Sequence, residues 1–199
     1  MLNFCKLSVL YIIARKIRSI FTRLNDFVST VLCYGLTIFN PALRIEKNCH
    51  FQKSTKLVVT NGGSISIGKG SCLSEHVKIV AQGGHVTIGD DVFIGIGCLI
   101  VCQSSIFIGR DSLIAEYVVI RDQDHLTDFR PIRSAGFKTT PIYIGNDVWI
   151  GCKATVLRGA YVGNRSVIGA HALVKSRIPD DMLAVGVPAR VVRRIESSH

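Results

Sequence analysis

Aliphatic residues recur at every sixth position along most of this chain. Ile88, Ile94 and Ile100 form one triplet, and Ile108, Ile114 and Ile120 form the next. Ile144, Ile150 and Val156 follow, then Val162, Ile168 and Val174. Upstream, Ile67, Leu73 and Ile79 keep the same step, and Ile45, Phe51 and Leu57 keep it more loosely. If these residues point inward from strands, the residue two before each should also point inward, because strand side chains alternate. Within the triplets those positions hold Ser71, Val77, Val92, Cys98, Ser112, Val118, Val148, Ala154, Ala160, Ser166 and Ala172, all small or β-branched. A helical period explains neither set.

Glycine follows many of the aliphatics, as at Gly89, Gly95, Gly109, Gly145, Gly151 and Gly169. That suits a chain bending sharply after each short strand. Three strand-and-corner units make one triangular coil. Stacked coils make an all-β parallel solenoid whose aliphatic ladders fill the centre. The repeat assigns residues 45–178 to the solenoid and leaves 179–199 as a tail, for which a short helix is expected.

Residues 1–44 read differently. The apolar runs Leu7–Ala14 and Phe27–Phe39 flank Arg15, Lys16, Arg18 and Arg23. Both are shorter than the roughly 18–20 residues a membrane-spanning helix needs, and no small-residue cleavage site follows the first. Two short amphipathic helices ending near Asn40-Pro41 are expected. They would either cap the open end of the solenoid or rest on anionic lipid as interfacial helices.

The repeat is interrupted once at length. From Ile120 to Ile144 is 24 positions where the period needs 6, so 18 residues are inserted between Arg121 and about Pro141. A polar loop leaving a rigid scaffold is where chemistry tends to sit. His125 is the only histidine in it, with Asp122, Asp124 and Asp128 close by. An imidazole titrates near neutral pH and can take a proton from an attacking hydroxyl.

Composition narrows the partners. Lys and Arg number 24 against 14 Asp and Glu in 199 residues, a formal net charge of +10. Such an excess favours an anionic partner. The basic residues are scattered and not interleaved with aromatics, and no helix-turn-helix, zinc-finger or RNP pattern is present, so nucleic acid is not expected. Hydrophobic residues at 48% exclude a disordered chain. Seven cysteines, an odd number without tight pairing, fit a reducing cytoplasm.

With the six-residue ladder, the His-bearing loop and the Val148-Trp149-Ile150-Gly151 corner in view, the sequence resembles the hexapeptide-repeat acyltransferases. The resemblance covers about residues 45–195 and implies a left-handed β-helix, against the usual crossover rule. The galactoside- and maltose-type sugar O-acetyltransferases carry a catalytic histidine in the corresponding loop, which makes His125 the expected general base. Glu116 and Asp122 are both candidates to orient its ring. The segment from Gly145 to Ile195, with its GVPAR run at Gly186–Arg190, resembles the family's coenzyme A-binding tail. By resemblance Cys152 and Ala170 line the pantetheine arm, while Lys175, Arg190 and Arg193 face the nucleotide end. Two residues depart from the pattern: His171 stands where glycine is common, and Cys152 where alanine, glycine or serine is usual.

The resemblance thus implies an acetyl-CoA-dependent O-acetyltransferase acting on a sugar, assembled as a homotrimer with sites between adjacent solenoids and requiring no metal. The basic, apolar N-terminus tips the acceptor toward a surface polysaccharide or its lipid-linked precursor. N-acetylation of an amino-sugar nucleotide is the alternative enzyme, and a silent binding module the non-enzymatic one. His76 and His85 raise a zinc site of the γ-carbonic anhydrase kind, but the second ligand expected five residues from His125 is missing.

Overall fold

The computed structural model describes residues 23, 24, 26–35 and 37–196. The expected helix over Leu7–Ala14, with Arg15, Lys16 and Arg18, lies outside them. From Leu43 onward the chain winds through three parallel sheets in rotation, so each strand pairs with the strand three further along. We call these face 1 (seven strands, from Leu43–Ile45 to Arg177–Ile178), face 2 (eight strands, from His50–Phe51 onward) and face 3 (six strands, ending at Leu173–Val174).

The register follows the six-residue period. On face 2 the inward column runs Phe51, Leu73, Ile94, Ile114, Ile150, Ile168 and Ala184, each paired with the next across the sheet. Every member of this column is fully buried. The second set, from Ser71 to Ala172, is buried as well. Its three serines are not unsatisfied polar groups in the core. Ser71 donates to Gly89 O and accepts the N–H of Val92, and Ser112 and Ser166 repeat the arrangement two and four coils on. Each hydroxyl ties two coils together at the same corner, so the hydroxyls stay paired out of water.

The N-terminal helix, seen over 26–35, closes the first coil. Thr30 Oγ1 accepts the N–H of Phe51 and donates to its carbonyl, while the Tyr34 hydroxyl donates to Glu46 O and accepts the N–H of Cys49. The Tyr34 ring meets Phe51 edge-on at 6.4 Å. Without this cover the top of the ladder would face water, and the backbone groups of the first coil would lose partners. The helix is apolar on its outer side too, where Phe27 and Leu32 are exposed, as are Ile38 and Phe39 after it.

The tail differs from expectation. Instead of a helix, Met182–Val185 joins face 2 and Arg190–Arg194 folds back on it antiparallel, making the last strand of the face. Ala184 continues the inward column of face 2, so the period holds this segment in strand geometry. Gly186, at φ 99°, makes the turn, a conformation costly for residues with a Cβ. Val191 and Val192 then suit the strand that covers the otherwise open edge. Arg194 pairs with Asp181 at 3.7 Å, and the N–H of Ile195 bonds to Asp181 O.

Candidate active site

The insertion leaves at the corner between faces 3 and 1. Within it Gln123–His125 pairs antiparallel with Phe137–Thr139, and His125 lies directly opposite Phe137. The two rings are 4.3 Å apart between centroids. His125 is exposed, so its imidazole is open to an incoming molecule.

Asp122 roots the hairpin. It is 0% exposed, and its carboxylate accepts from the backbone N–H groups of Gln103 at 2.8 Å and Ser104 at 2.7 Å. The Cys102 thiol donates to it at 3.2 Å. With its amide nitrogen facing these acceptors, Gln123 adds a bond to Asp122 at 2.8 Å and one to Val101 O at 3.2 Å. Burial, reinforced by the Asp122 carboxylate, pushes the Cys102 thiol up to about 12, so it stays a protonated donor. The Asp122 side chain is therefore occupied by the preceding coil, and it fixes the strand rather than the His125 ring.

The donor candidates fall into two places. Trp149 pairs with Val167 and Ile150 with Ile168, which sets Cys152 beside Ala170 on the corner between faces 2 and 3. The N–H of His171 bonds to Cys152 O at 2.9 Å, closing that corner. A Cβ on Gly151 would come 2.6 Å from Ala170 N, so only glycine lets the coils approach here. The column continues downward into the tail: Leu173 N–H bonds to Gly186 O, Ala189 N–H to Leu173 O, and Arg190 pairs with Val185. Arg190 thus stands at the foot of the Cys152–Ala170 column. Arg193 pairs with Leu183 on face 2, and Lys175 lies just past the last strand of face 3, toward the opposite corner. Both arginines are on a strand, not at a helix end. The His171 departure has a backbone consequence: its φ is 59°, the left-handed region where glycine is at ease. Tyr117 and Lys153 hold the same conformation at the same corner of earlier coils.

Glu116 sits one coil above Cys152 on this corner, since Ile114 pairs with Ile150. It is therefore across face 3 from the root of the His125 hairpin. Cys152 and Arg158 mark the two ends of one face-3 side, six residues or at most about 20 Å apart. Among the described residues no hydrogen bond or ion pair joins the hairpin to the Cys152–Ala170 corner. One chain alone separates the candidate base from the Cys152–Ala170 corner.

Arg158, which sequence reasoning passed over, meets the hairpin instead. Its Nε donates to Asp124 Oδ2 at 2.5 Å, and Nη1 reaches Thr140 Oγ1 at 3.5 Å. His85 bonds Ser64 Oγ at 2.9 Å, and His76 is an exposed corner residue. Among the described residues no three His, Cys, Asp or Glu side chains gather to hold a metal.

Comparison with known proteins agrees with this architecture. Residues 141–176 match the family described as bacterial transferase hexapeptide (six repeats), and 85–120 match the hexapeptide repeat of succinyl-transferase. WbbJ of Escherichia coli, named for O-acetyl transfer in lipopolysaccharide biosynthesis, is 32% identical over 146 residues, covering 68% of this chain and 74% of that one. The chain belongs to the hexapeptide-repeat transferase family. A second member, the galactoside O-acetyltransferase of E. coli, is 34% identical over 115 residues, 58% of this chain and 57% of its own. The chain spans about half the length of most curated relatives it matches. Among solved structures, a point mutant of AntD, an N-acyltransferase from Bacillus cereus, in complex with dTDP and coenzyme A superposes with a TM-score of 0.71 at 20% identity, over 82% of this chain and 89% of that one. That likeness concerns the fold of the hexapeptide-repeat family, of which the solenoid is the shared part.

Proposed function

We propose that this protein transfers an acetyl group from acetyl-CoA to a sugar hydroxyl, of a bacterial surface polysaccharide or its precursor, with His125 as general base. The observation that carries this reading is the presentation of His125: an exposed imidazole on a hairpin rooted in the rigid solenoid by a fully buried carboxylate. The names of the relatives supply the chemistry, O-acetyl transfer in WbbJ and in the galactoside enzyme. In the reaction His125 takes the hydroxyl proton as the oxygen attacks the thioester carbonyl. The carbon–sulfur bond then breaks, and the imidazolium returns the proton to the departing thiolate. Cys152 and Ala170 line the pantetheine arm, and Lys175, Arg190 and Arg193 meet the phosphates. No metal enters these steps.

Because His125 and the Cys152–Ala170 pair lie on different corners of one chain, the complete site takes His125 from one copy and the Cys152–Ala170 corner from the next, in a homotrimer. The outer side of face 2 favours such packing, for Phe93, Leu113 and Trp149 form an exposed apolar column in register. Purified protein incubated with acetyl-CoA and a panel of hydroxyl and amino sugars tests the function. Thiol release dependent on a hydroxyl sugar is expected. Release only with amino sugars, a reading that the AntD likeness keeps alive, would move the protein to N-acetylation, and no release at all would leave a binding module.

For the donor, Arg190→Ala combined with Arg193→Ala should raise the apparent constant for acetyl-CoA. The effect should shrink with a donor lacking the 3′-phosphate, since that contact is then already gone. An unchanged constant would make both arginines solvated surface residues.

We place the protein in the cytoplasm, at the inner face of the membrane. No described helix is long and apolar enough to cross a bilayer. The helix 26–35, with apolar residues on its outer side and preceded in the sequence by Arg15, Lys16, Arg18 and Arg23, instead favours lying against anionic lipid. Sedimentation with anionic vesicles should weaken with salt and vanish when all four basic residues become glutamine; salt-independent binding would refute it.

A further inference from the structure

We propose that Arg158 is a positioning residue for His125, acting through Asp124; this rests on His125 being the base. Among the described residues the strand Gln123–His125 has only Phe137–Thr139 beside it, and that partner strand is exposed along its whole length. A two-stranded hairpin is at best marginally stable in water, so its orientation depends on what ties it to the solenoid. The ties are few. Asp122 fixes the root to the preceding coil through Cys102, Gln103 and Ser104. At the other strand, Thr140 N–H bonds to Asp122 O, and Gly159 N–H bonds to Thr140 O. All of these lie at the base of the hairpin, about which it could still pivot.

Beyond the root, side chains alternate along the strand. Gln123 turns into the protein, buried against Val101 and Asp122, and Asp124 faces the other way, where Arg158 of the following coil holds it. Residue 125 follows directly, so the direction of its ring is set by the twist of a strand fixed at 122 and 124. Arg158 is itself well placed to act as a fixed post. It follows the strand Thr155–Leu157 of face 3, which pairs with strands on both sides. Its side chain is only 30% exposed, and its second nitrogen reaches Thr140, just past the end of the returning strand. The guanidinium therefore bridges the strand of Asp124 and the foot of its partner, which a lysine ammonium would do less well.

Steady-state kinetics of Arg158→Gln, Asp124→Asn, the double variant and Arg158→Lys, with His125→Ala alongside, test the proposal. Misplacing a base by about an ångström can cost up to roughly 10²-fold, so kcat should fall about 10–100-fold in either single variant. The constant for acetyl-CoA should stay unchanged, and the double variant should be no worse than the singles, because both remove one contact. Arg158→Lys should recover part of the rate. If Arg158→Gln fails to fold, Asp124→Asn and Arg158→Lys carry the same comparison. A full kcat in Asp124→Asn or Arg158→Gln, additive losses, or a raised acetyl-CoA constant would overturn the positioning role. A nearly full rate in His125→Ala would sink the base assignment itself, and the two failures are thus told apart.

Discussion

His125→Ala should lose about 10²–10⁴-fold in acetyl transfer, the usual contribution of a positioned general base. The fold should hardly notice. His125 lies outside the aliphatic ladders, is exposed, and makes its nearest aromatic contact with Phe137 of the same hairpin. Surface substitutions of this kind change stability by no more than about 0.5 kcal/mol. The thermal transition, the oligomeric state and coenzyme A binding should therefore stay near their original values. His76→Ala, His85→Ala and His171→Ala are the controls. Of these only His171 adjoins Cys152, and an effect there should appear in the donor constant before turnover. Initial-rate thiol release at equal protein checks all four. Retention of more than about a tenth of the rate in His125→Ala would put the base elsewhere.

Mixing two inactive variants should restore activity. Ala170→Trp would fill the exposed corner proposed for the pantetheine arm, leaving the hairpin untouched, while His125→Ala would leave that corner open. If each site takes its base from one copy and its donor corner from the next, randomly reassembled trimers made from equal amounts contain intact sites. Half the copies supply a good base and half a good corner, so roughly a quarter of the sites should work. Unfolding and refolding the two variants together, then measuring thiol release against each refolded alone, reads this directly. Activity of the mixture no higher than the average of the parents would show that one chain supplies the whole site.

The solenoid was legible because it obeys one rule repeated many times. A six-residue period forces Ile94, Ile114, Ile150 and Ile168 onto one inward column, and the buried set two residues earlier was a second, independent reading of the same geometry. The period also told which site residues could meet. Cys152 and Ala170 are three repeats apart and share a corner, whereas Lys175 lies nearly one side further on. The tail escaped for the opposite reason. Arg190–Arg194 mixes valines and arginines in an order that a short helix could also use, and its partner Met182–Val185 is recognised only after Ala184 is seen to extend the ladder.

The site was partly legible for similar reasons. His125 stands out as the candidate base because an interruption of a strict repeat marks its own position. The ties that hold its strand could not. Arg158 and Asp124 are 34 positions apart with the rest of the insertion between them, so no local spacing links them. Asp122, one of two carboxylates suited by sequence to orient the imidazole, instead meets backbone N–H groups 18 and 19 positions earlier, on the coil before. Glu116, the other, shares the corner of Cys152. Within one chain neither orients the ring.

The central claim is that an acetyl group moves from a thioester to a sugar oxygen. Mass measurement of an oligosaccharide or sugar acceptor after incubation with the protein and acetyl-CoA, repeated after mild alkali, tests it most directly. One added acetyl group that alkali removes, absent with His125→Ala, is the expected result. An added group that survives alkali would be an amide and would contradict O-acetylation; an unmodified acceptor across the whole panel would contradict catalysis.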